Sequence, residues 1–576
     1  MRVLLLHPED SFDGSWKRER WERIIDLGRA PRAFYEEQGA ALRCGVSTIY
    51  DLAREMEDLQ VWRGLLAQGL GRCVDRCGID WWDVISLRLQ PDLQAVRLGI
   101  RLAEQLDDCT ELAVTRPSIL ADAVRLCLGV PLRVLQAGVG RRVEHRAARY
   151  KKALANLSFA QLRQVAYDKY DPHYRWRRKF AGTGSLSANP VVLLPSAYIN
   201  VTKTALRYAR LLPEQSFLLV VARESAWPSS LPENVKAVPL AAYAGGRSEA
   251  SDLRELEESW TTLADSLREQ PELHIPLQLG ILQRGVNWLR WGVPIRNAWQ
   301  KVFDANPVVG CLSADDSNPY TRIPLLVAGR RDIPAVACHH GALDCFMAFK
   351  GRAFTSYLAK GEMERDYLEK VCGVDPARIA VGAAGAAAEN RQLWRSDAPW
   401  IVLFTEPYEL ESWRVEALYR ELLPRLCAAA RASQKTVVLK VHPFETPRQR
   451  RRLVSAVLKR DDQTLVRVLD TPLSDELLRK IWCAVTVEST VACECASAGI
   501  PVFLCAWMRH AYSGYAPQFA RYGVGRLLET PDDLMKIPEM VNNSRPAPEV
   551  VDRLSQAIAP RNLAALLMQP AERSLR

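Results

Sequence analysis

The sequence predicts an α/β protein built from two doubly wound, parallel-sheet domains. Three observations lead there. Short apolar runs alternate with longer amphipathic stretches along most of the chain, the pattern of parallel strands joined by crossover helices. At 576 residues the chain exceeds one compact domain, given roughly 100–200 residues per domain. Its 48% hydrophobic and 25% charged residues are ordinary for a globular protein and exclude a mainly disordered chain.

In chain order, buried strands are expected at 3–6, 23–27, 111–115, 191–194 and 217–222. Further strands are expected at 308–312, 335–338, 400–405, 436–441, 484–487 and 501–504, each a short run rich in Val, Ile, Leu or Ala. Helical periodicity marks 92–105, 415–432 and 447–459. So many strands exceed one doubly wound sheet, hence two domains. The division expected is 1–345, with a helical insertion at about 120–185, then 346–530, then a helical tail at 531–576. The pieces at 356–361 and 379–385 are assigned to the second domain. The glycine-rich stretch 181–190 separates the helix-rich N-terminal part from a renewed strand run.

Composition narrows the function classes. No apolar stretch reaches the roughly 18 residues that span a bilayer. The opening Met1-Arg-Val-Leu-Leu-Leu-His-Pro has too short an apolar core for a signal peptide, so a cytoplasmic protein is expected. The 14 cysteines are scattered without a CxxC, and the 8 histidines include no HxxxH, so they are read as buried thiols in a reducing compartment, with no metal site. A net charge of +10 favours an anionic partner, with peripheral contact to an anionic membrane left open. Part of it is concentrated at Arg141–Lys152 and Arg175–Lys179. No recognition motif accompanies that charge, so no nucleic-acid partner is expected.

Candidate chemistry lies at strand ends, because ligands of parallel sheets bind at the carboxyl edge. The strand at 436–441 runs into Lys440, His442 and Pro443, where an ammonium and an imidazole can hold a phosphate. The strand at 484–487 runs into Glu488, Ser489 and Thr490, whose hydroxyls and main-chain N–H groups open a helix; such a helix start suits an anion, but serves equally as a plain N-cap. Asp315 and Asp316, with Asn318 and Arg322, follow the strand at 308–312. A carboxylate there can take a proton from a hydroxyl or attack as a nucleophile, or the group can be an ordinary Asx turn. Asp10 and Asp13, after the first strand, are the second candidates. His340 ends the next strand, and Thr405 and Glu406 follow the strand at 400–405. The aromatic and basic stretch 168–179 suits either an acidic saccharide or a helix connection.

The pairing of Lys440-x-His442-Pro443 with the Glu488-Ser489-Thr490 helix start resembles bacterial glycosyltransferases of the GT-B type, in which two Rossmann-like domains face each other across a cleft. It is most similar to the sialyl-, polysialyl- and Kdo transferases of surface polysaccharide synthesis, which use CMP-activated sugars. The resemblance implies that Lys440, His442, Pro443, Ser489 and Thr490 contact the nucleotide, and that Glu494 reaches its ribose. It implies a 346–530 domain that holds a nucleotide sugar, CMP-Kdo or another CMP-ulosonic acid, and an N-terminal domain that takes a glycan or lipid-linked acceptor. No cofactor beyond the donor and no metal is implied. The His339-His340-Gly341 strand end is similar to that of capsule and teichoic-acid-type transferases, which places His340 in the cleft. The acidic-pair-plus-glycine motif of the CMP-sugar families is absent; His7-Pro-Glu-Asp and Ala314-Asp-Asp are the nearest strings. A UDP- or GDP-sugar transferase, a CDP-alditol phosphotransferase and a non-catalytic assembly protein therefore stay open.

Overall fold

The computed structural model describes residues 1–52, 64, 67–135, 179, 188–244, 249–270, 273–341, 355–384, 392–408, 412–442, 445–508 and 515–568. Among the described residues three parallel sheets carry the fold, one more than the sequence suggests. The first contains β1 (Arg2–Leu6), β2 (Arg23–Asp26), β3 (Gly45–Thr48), β4 (Glu111–Val114) and β5 (Leu132–Val134), in the order β3-β2-β1-β4-β5. The second contains β6 (Val191–Ser196), β7 (Phe217–Val221), β8 (Val235–Pro239), β9 (Val308–Ser313), β10 (Ala335–Ala337), β11 (Thr355–Ala359) and β12 (Ile379–Val381). Its order is β12-β11-β10-β9-β6-β7-β8. The third contains β13 (Trp400–Phe404), β14 (Thr436–Lys440), β15 (Val466–Leu469), β16 (Ile481–Thr486), β17 (Val502–Cys505) and β18 (Arg526–Leu528), in the order β15-β14-β13-β16-β17-β18.

Counted within each sheet, all three share one rule: strand 1 lies in the middle, strands 2 and 3 go to one side, and strand 4 begins the other. This is the Rossmann order, and it creates a switch point between strands 1 and 4 at which the chain leaves in opposite directions. The switch points are β1/β4, β6/β9 and β13/β16. Their central strands are continuous apolar runs. β6 and β16 are buried at every residue, as strands covered by helices on both faces must be.

The sheets group into two compact units. One holds Met1–Leu59, Gln94–Gly138 and Ala387–Leu554, and so contains the first and third sheets; the other holds Gln60–Leu93, Val139–Ala386 and Ser555–Arg576. Three of the expected boundaries change accordingly. β11 and β12, assigned from sequence to the second domain, hydrogen-bond onto β10 and complete the seven-stranded sheet. Residues 1–345 do not form one domain, because the first sheet has its own core around Val3, Leu5, Leu112 and Val124. The expected C-terminal tail divides: after Leu554 the chain returns to the second sheet, where Gln556 and Ala383 pair through the main chain. The helix Pro560–Met568 then lies so close to β9 that a Cβ at Gly310 would stand 2.0 Å from the Leu567 carbonyl oxygen. Most of the expected insertion at 120–185 lies outside the described residues; its described start, helix Ile119–Leu128, belongs to the first sheet's core.

Six helices matter below: α1 (Trp81–Glu104), α2 (Gly285–Ala305), α3 (Pro319–Arg330), α4 (Val415–Ser433), α5 (Pro447–Val457) and α6 (Val491–Ser497). α1 begins eleven residues before the helical pattern recognised at residue 92, and continues through Pro91.

Within the first unit, Arg414 joins the loop before α4 to the carboxyl edge of the first sheet. Its guanidinium reaches both carboxylate oxygens of the fully buried Asp26, one at 2.7 Å, and the carbonyl of Asp10 at 2.8 Å. It also lies 4.7 Å from the centre of the Phe12 ring.

Candidate functional site

The third sheet places five of the predicted residues around its switch point. Thr405 and Glu406 follow β13, Lys440 ends β14 and His442 follows it, and Glu488 follows β16. All are at carboxyl ends of adjacent strands, where the strand order opens a crevice. Pro443 lies outside the described residues.

The turn after β14 is held by a residue that sequence reasoning passed over. Glu445 accepts from the His442 main-chain N–H at 3.0 Å and from the Thr405 hydroxyl, and it pairs with the buried Arg450 on α5. The Thr405 hydroxyl oxygen in turn accepts from the His442 N–H at 3.2 Å. A carboxylate three residues after the histidine is the usual spacing for a side-chain clamp on a turn, so the H-x-x-E string was the available signal. The clamp leaves the His442 ring half-buried. Burial pulls its pKa below the usual imidazole value, only partly opposed by Glu445, so the ring is neutral in the unliganded protein at pH 7. Burial likewise lowers the Lys440 ammonium, with Asp470 opposing.

Glu406 lies two residues past the end of β13. Its carboxylate is turned inward, accepting from the Thr486 hydroxyl at 3.0 Å and from the N–H groups of Val487 at 3.2 Å and Glu488 at 2.9 Å. Burial raises its pKa, while those donors favour the ionised form. The chain thus supplies its own carboxyl oxygen to the first donors after β16. The Val491 N–H donates to the Ser489 hydroxyl oxygen at 3.5 Å, Thr490 is the N-cap of α6 without a side-chain cap bond, and Glu494 is exposed on that short helix.

The other unit gathers Asp315, Asp316, Asn318, Arg322 and His340 at the β6/β9 switch point. Asp315 is fully buried, and its carboxylate accepts four hydrogen bonds. Ser317 donates from its N–H at 2.9 Å and its hydroxyl at 2.6 Å, Thr321 donates its hydroxyl at 3.0 Å, and Asn318 its side-chain amide. The Asn318 amide oxygen then caps α3 through the Tyr320 N–H at 3.0 Å. Asp315 is therefore an Asx-turn clamp with no oxygen facing an acceptor hydroxyl, a correction to its reading as base or nucleophile.

Asp316 is 2% exposed. It accepts the Tyr357 hydroxyl at 3.1 Å and lies 3.8 Å from the Arg322 guanidinium and 3.9 Å from His339. Arg322 also pairs with Asp83 on α1. Burial alone would lower the Arg322 pKa, but Asp83 and Asp316 overcome it and push it up. This is a buried ion network, and its position beneath the surface argues against a proton-transfer role for Asp316 as well.

His340 is the histidine that stays partly accessible. Its Nδ1 stands 3.4 Å from the Ala314 carbonyl oxygen and 3.5 Å from the Tyr198 hydroxyl, and its ring meets the Tyr198 ring edge-on at 5.0 Å. Burial lowers its pKa, with Asp315 acting in the opposite direction. An Nδ1–H donated to Ala314 leaves Nε2 as a proton acceptor.

The secondary candidates in the first sheet are engaged elsewhere. Asp10 is held by the Arg116 guanidinium at 2.7–3.1 Å, and Asp13 forms an exposed pair with Lys17 at 2.7 Å. The basic clusters at 141–152 and 175–178 and the 168–178 stretch lie outside the described residues. Among the described residues, no group of three or more His, Cys, Asp or Glu is placed to hold a metal, and no helix is long and apolar enough to cross a membrane. The described cysteines are thiols, and burial pushes Cys427 up to about 11 and Cys73 up to about 12.

No protein-family model matches the chain, and no curated protein matches it. Among solved structures it is similar to a UDP-GlcNAc 2-epimerase from Neisseria meningitidis bound to UDP-GlcNAc, at 11% identity over 66% of this chain and 97% of that one, with a TM-score of 0.38. It is also similar to a glycosyltransferase from Rickettsia africae, at 10% identity over 66% and 98%, TM-score 0.39. A third is the wall teichoic acid polymerase TagF, at 10% identity over 72% and 95%, TM-score 0.33. The α/β fold of this chain, with Rossmann-ordered parallel sheets, is given by its own strand order.

Proposed function

We propose that this chain is a glycosyltransferase that moves a sugar from a nucleotide donor to a glycan or lipid-linked saccharide. The observation that carries the reading is the β13/β16 switch point. A lysine and a histidine stand at the carboxyl end of the strand beside it, on a turn fixed by Glu445 and Arg450. Cationic or proton-ready groups at such a crevice suit the phosphates of a nucleotide, and their charge would stabilise the departing phosphate. The donor is taken as CMP-linked, an ulosonic acid such as Kdo, on the strength of the Lys440-x-His442-Pro443 and Ser489-Thr490 resemblance. The donor phosphates are met by Lys440 and His442, and no metal is assigned a part.

Calorimetric titration with CMP, CDP, UDP and GDP tests this. Binding of CMP in preference to the others, lost in His442→Ala at unchanged melting temperature, is expected. Preference for UDP or GDP would move the donor class. Absence of binding to all four would refute the transferase reading and leave a glycan-binding scaffold.

A further inference from the structure

In the unit that contains the seven-stranded sheet, Arg88 and Arg223 have no acidic partner among the described residues. Arg88 lies on α1 and Arg223 follows β7 at the carboxyl edge of the sheet. The Nε atoms of both are buried and have no hydrogen-bond partner among the described residues. No carboxylate among those residues lies within ion-pair distance of either guanidinium. The carboxylate whose charge acts on Arg88 is that of Asp315, whose oxygens are already taken by Ser317, Asn318 and Thr321. Burial lowers the Arg88 pKa, and the positive charge of Arg223 lowers it further. Two like charges in a partly desolvated place repel each other and forgo hydration, a cost that an anion placed between them would reverse.

Aromatic rings connect the two arginines. The Arg88 guanidinium carbon stands 5.6 Å from the centre of the Trp288 ring, and that of Arg223 stands 5.6 Å from the centre of the Tyr320 ring. Trp288 meets Trp291 edge-on at 5.6 Å, and Trp291 meets Tyr320 edge-on at 5.2 Å. Trp288 and Trp291 lie three residues apart on α2, thus on one helix face, and both are only half-buried. Stacked guanidiniums keep their N–H edges available for a planar or tetrahedral anion. Exposed indole surface beside them is apolar, planar and suited to the C–H face of a pyranose.

We propose that Arg88, Arg223, Trp288, Trp291 and Tyr320 form a binding site for a saccharide that carries a phosphate or a carboxylate. The arginines hold the anionic group, and the rings hold the sugar. The site does not depend on transferase activity; only the further step of calling this saccharide the acceptor rests on that reading.

The test is calorimetry on the full chain with glucose 6-phosphate, trigalacturonate and maltotriose. Expected are binding of at least one anionic sugar about tenfold or more tighter than maltotriose, and weakening by added salt. The tighter of the two names the head group. Arg88→Gln/Arg223→Gln should lose that preference, and Trp291→Ala should weaken glucose 6-phosphate while leaving inorganic phosphate unchanged. If the double variant does not fold, Arg223→Lys, which keeps the charge and loses the planar fork, should reduce affinity severalfold. Equal binding of charged and neutral sugars, or full anionic-sugar affinity in whichever of these arginine variants folds, overturns the proposal. CMP binding in the same samples separates the two readings. Anionic-sugar binding without nucleotide binding retires the transferase and keeps this site, and the converse retires this site alone.

Discussion

Asp315→Asn removes one negative charge and replaces one oxygen by a donor, and the geometry leaves the amide no good orientation. If its NH₂ takes the Oδ2 position, it faces the Asn318 side-chain amide, which cannot turn round because its oxygen is committed to the Tyr320 N–H at 3.0 Å. If the NH₂ takes the Oδ1 position, it faces the Ser317 main-chain N–H, which has no alternative polarity. In either case two of the four hydrogen bonds are put at risk, since each oxygen serves two donors. Hydrogen bonds to a charged group are worth about 1.5–3 kcal/mol each, so the expected loss is about 3–6 kcal/mol. The Thr321 and Ser317 hydroxyls can rotate and accept instead, which favours the lower end. In a domain of this size the melting temperature should fall by on the order of 10 °C. Thermal unfolding by circular dichroism on the full chain reads this out, with Asp13→Asn as a surface control expected to leave it unchanged. A variant with wild-type stability and no transfer activity would refute the clamp and return Asp315 to the catalytic role.

Further outcomes are expected in both units. A bound phosphate favours the imidazolium form of His442, whose pKa burial depresses in the free protein. Nucleotide binding should therefore take up a proton, and affinity should rise from about pH 8 to about pH 6; calorimetry in buffers of different ionisation enthalpy measures it, and His442→Gln should abolish the dependence. His7, His340 and His442 all have folded pKa values pulled below 6.5, so the unfolded chain binds more protons in that range. Stability should be greatest above about pH 6.5 and fall as the pH drops through the folded values, as melting curves would show. Arg450→Met leaves the buried Glu445 charge uncompensated, a cost of about 3–5 kcal/mol, and should weaken nucleotide binding by releasing the His442 turn. Adding Glu445→Gln should recover part of the stability but not the affinity. Arg414→Ala should cost a similar amount through the buried Asp26, with Asp26→Asn/Arg414→Met recovering much of it in the same denaturation assay.

The strand-and-helix alternation and the central strands are legible in the chain's local pattern, because a strand covered on both faces must be an uninterrupted apolar run. β1, β6, β7, β9, β13, β14 and β16 all announce themselves that way. The edge strands β3, β8 and β15 do not: Val466–Leu469 is half-exposed and alternates with Arg467, so no run forms. The placement of Lys440 and His442 at a strand end was likewise legible, since it needs only local pattern and the rule that ligands meet carboxyl edges. The number of sheets was not, because a strand's sequence carries its burial but not its partner. Only the pairing of β10 with β11, and of β11 with β12, assigns 355–381 to the seven-stranded sheet. Side-chain roles were decided at the same level. Asp315 and Asp316 look like a catalytic pair in sequence, and become a turn clamp and an ion-network member once Thr321, Tyr357 and Asp83, brought from other turns and helices, surround them. Arg88, Arg223, Trp288, Trp291 and Tyr320 span more than two hundred positions, and only the packing of α1, α2 and α3 at the edge of the second sheet brings their charges and rings together. Local composition specifies which surfaces must be buried; which charges meet there depends on long-range contacts that no short stretch of chain encodes.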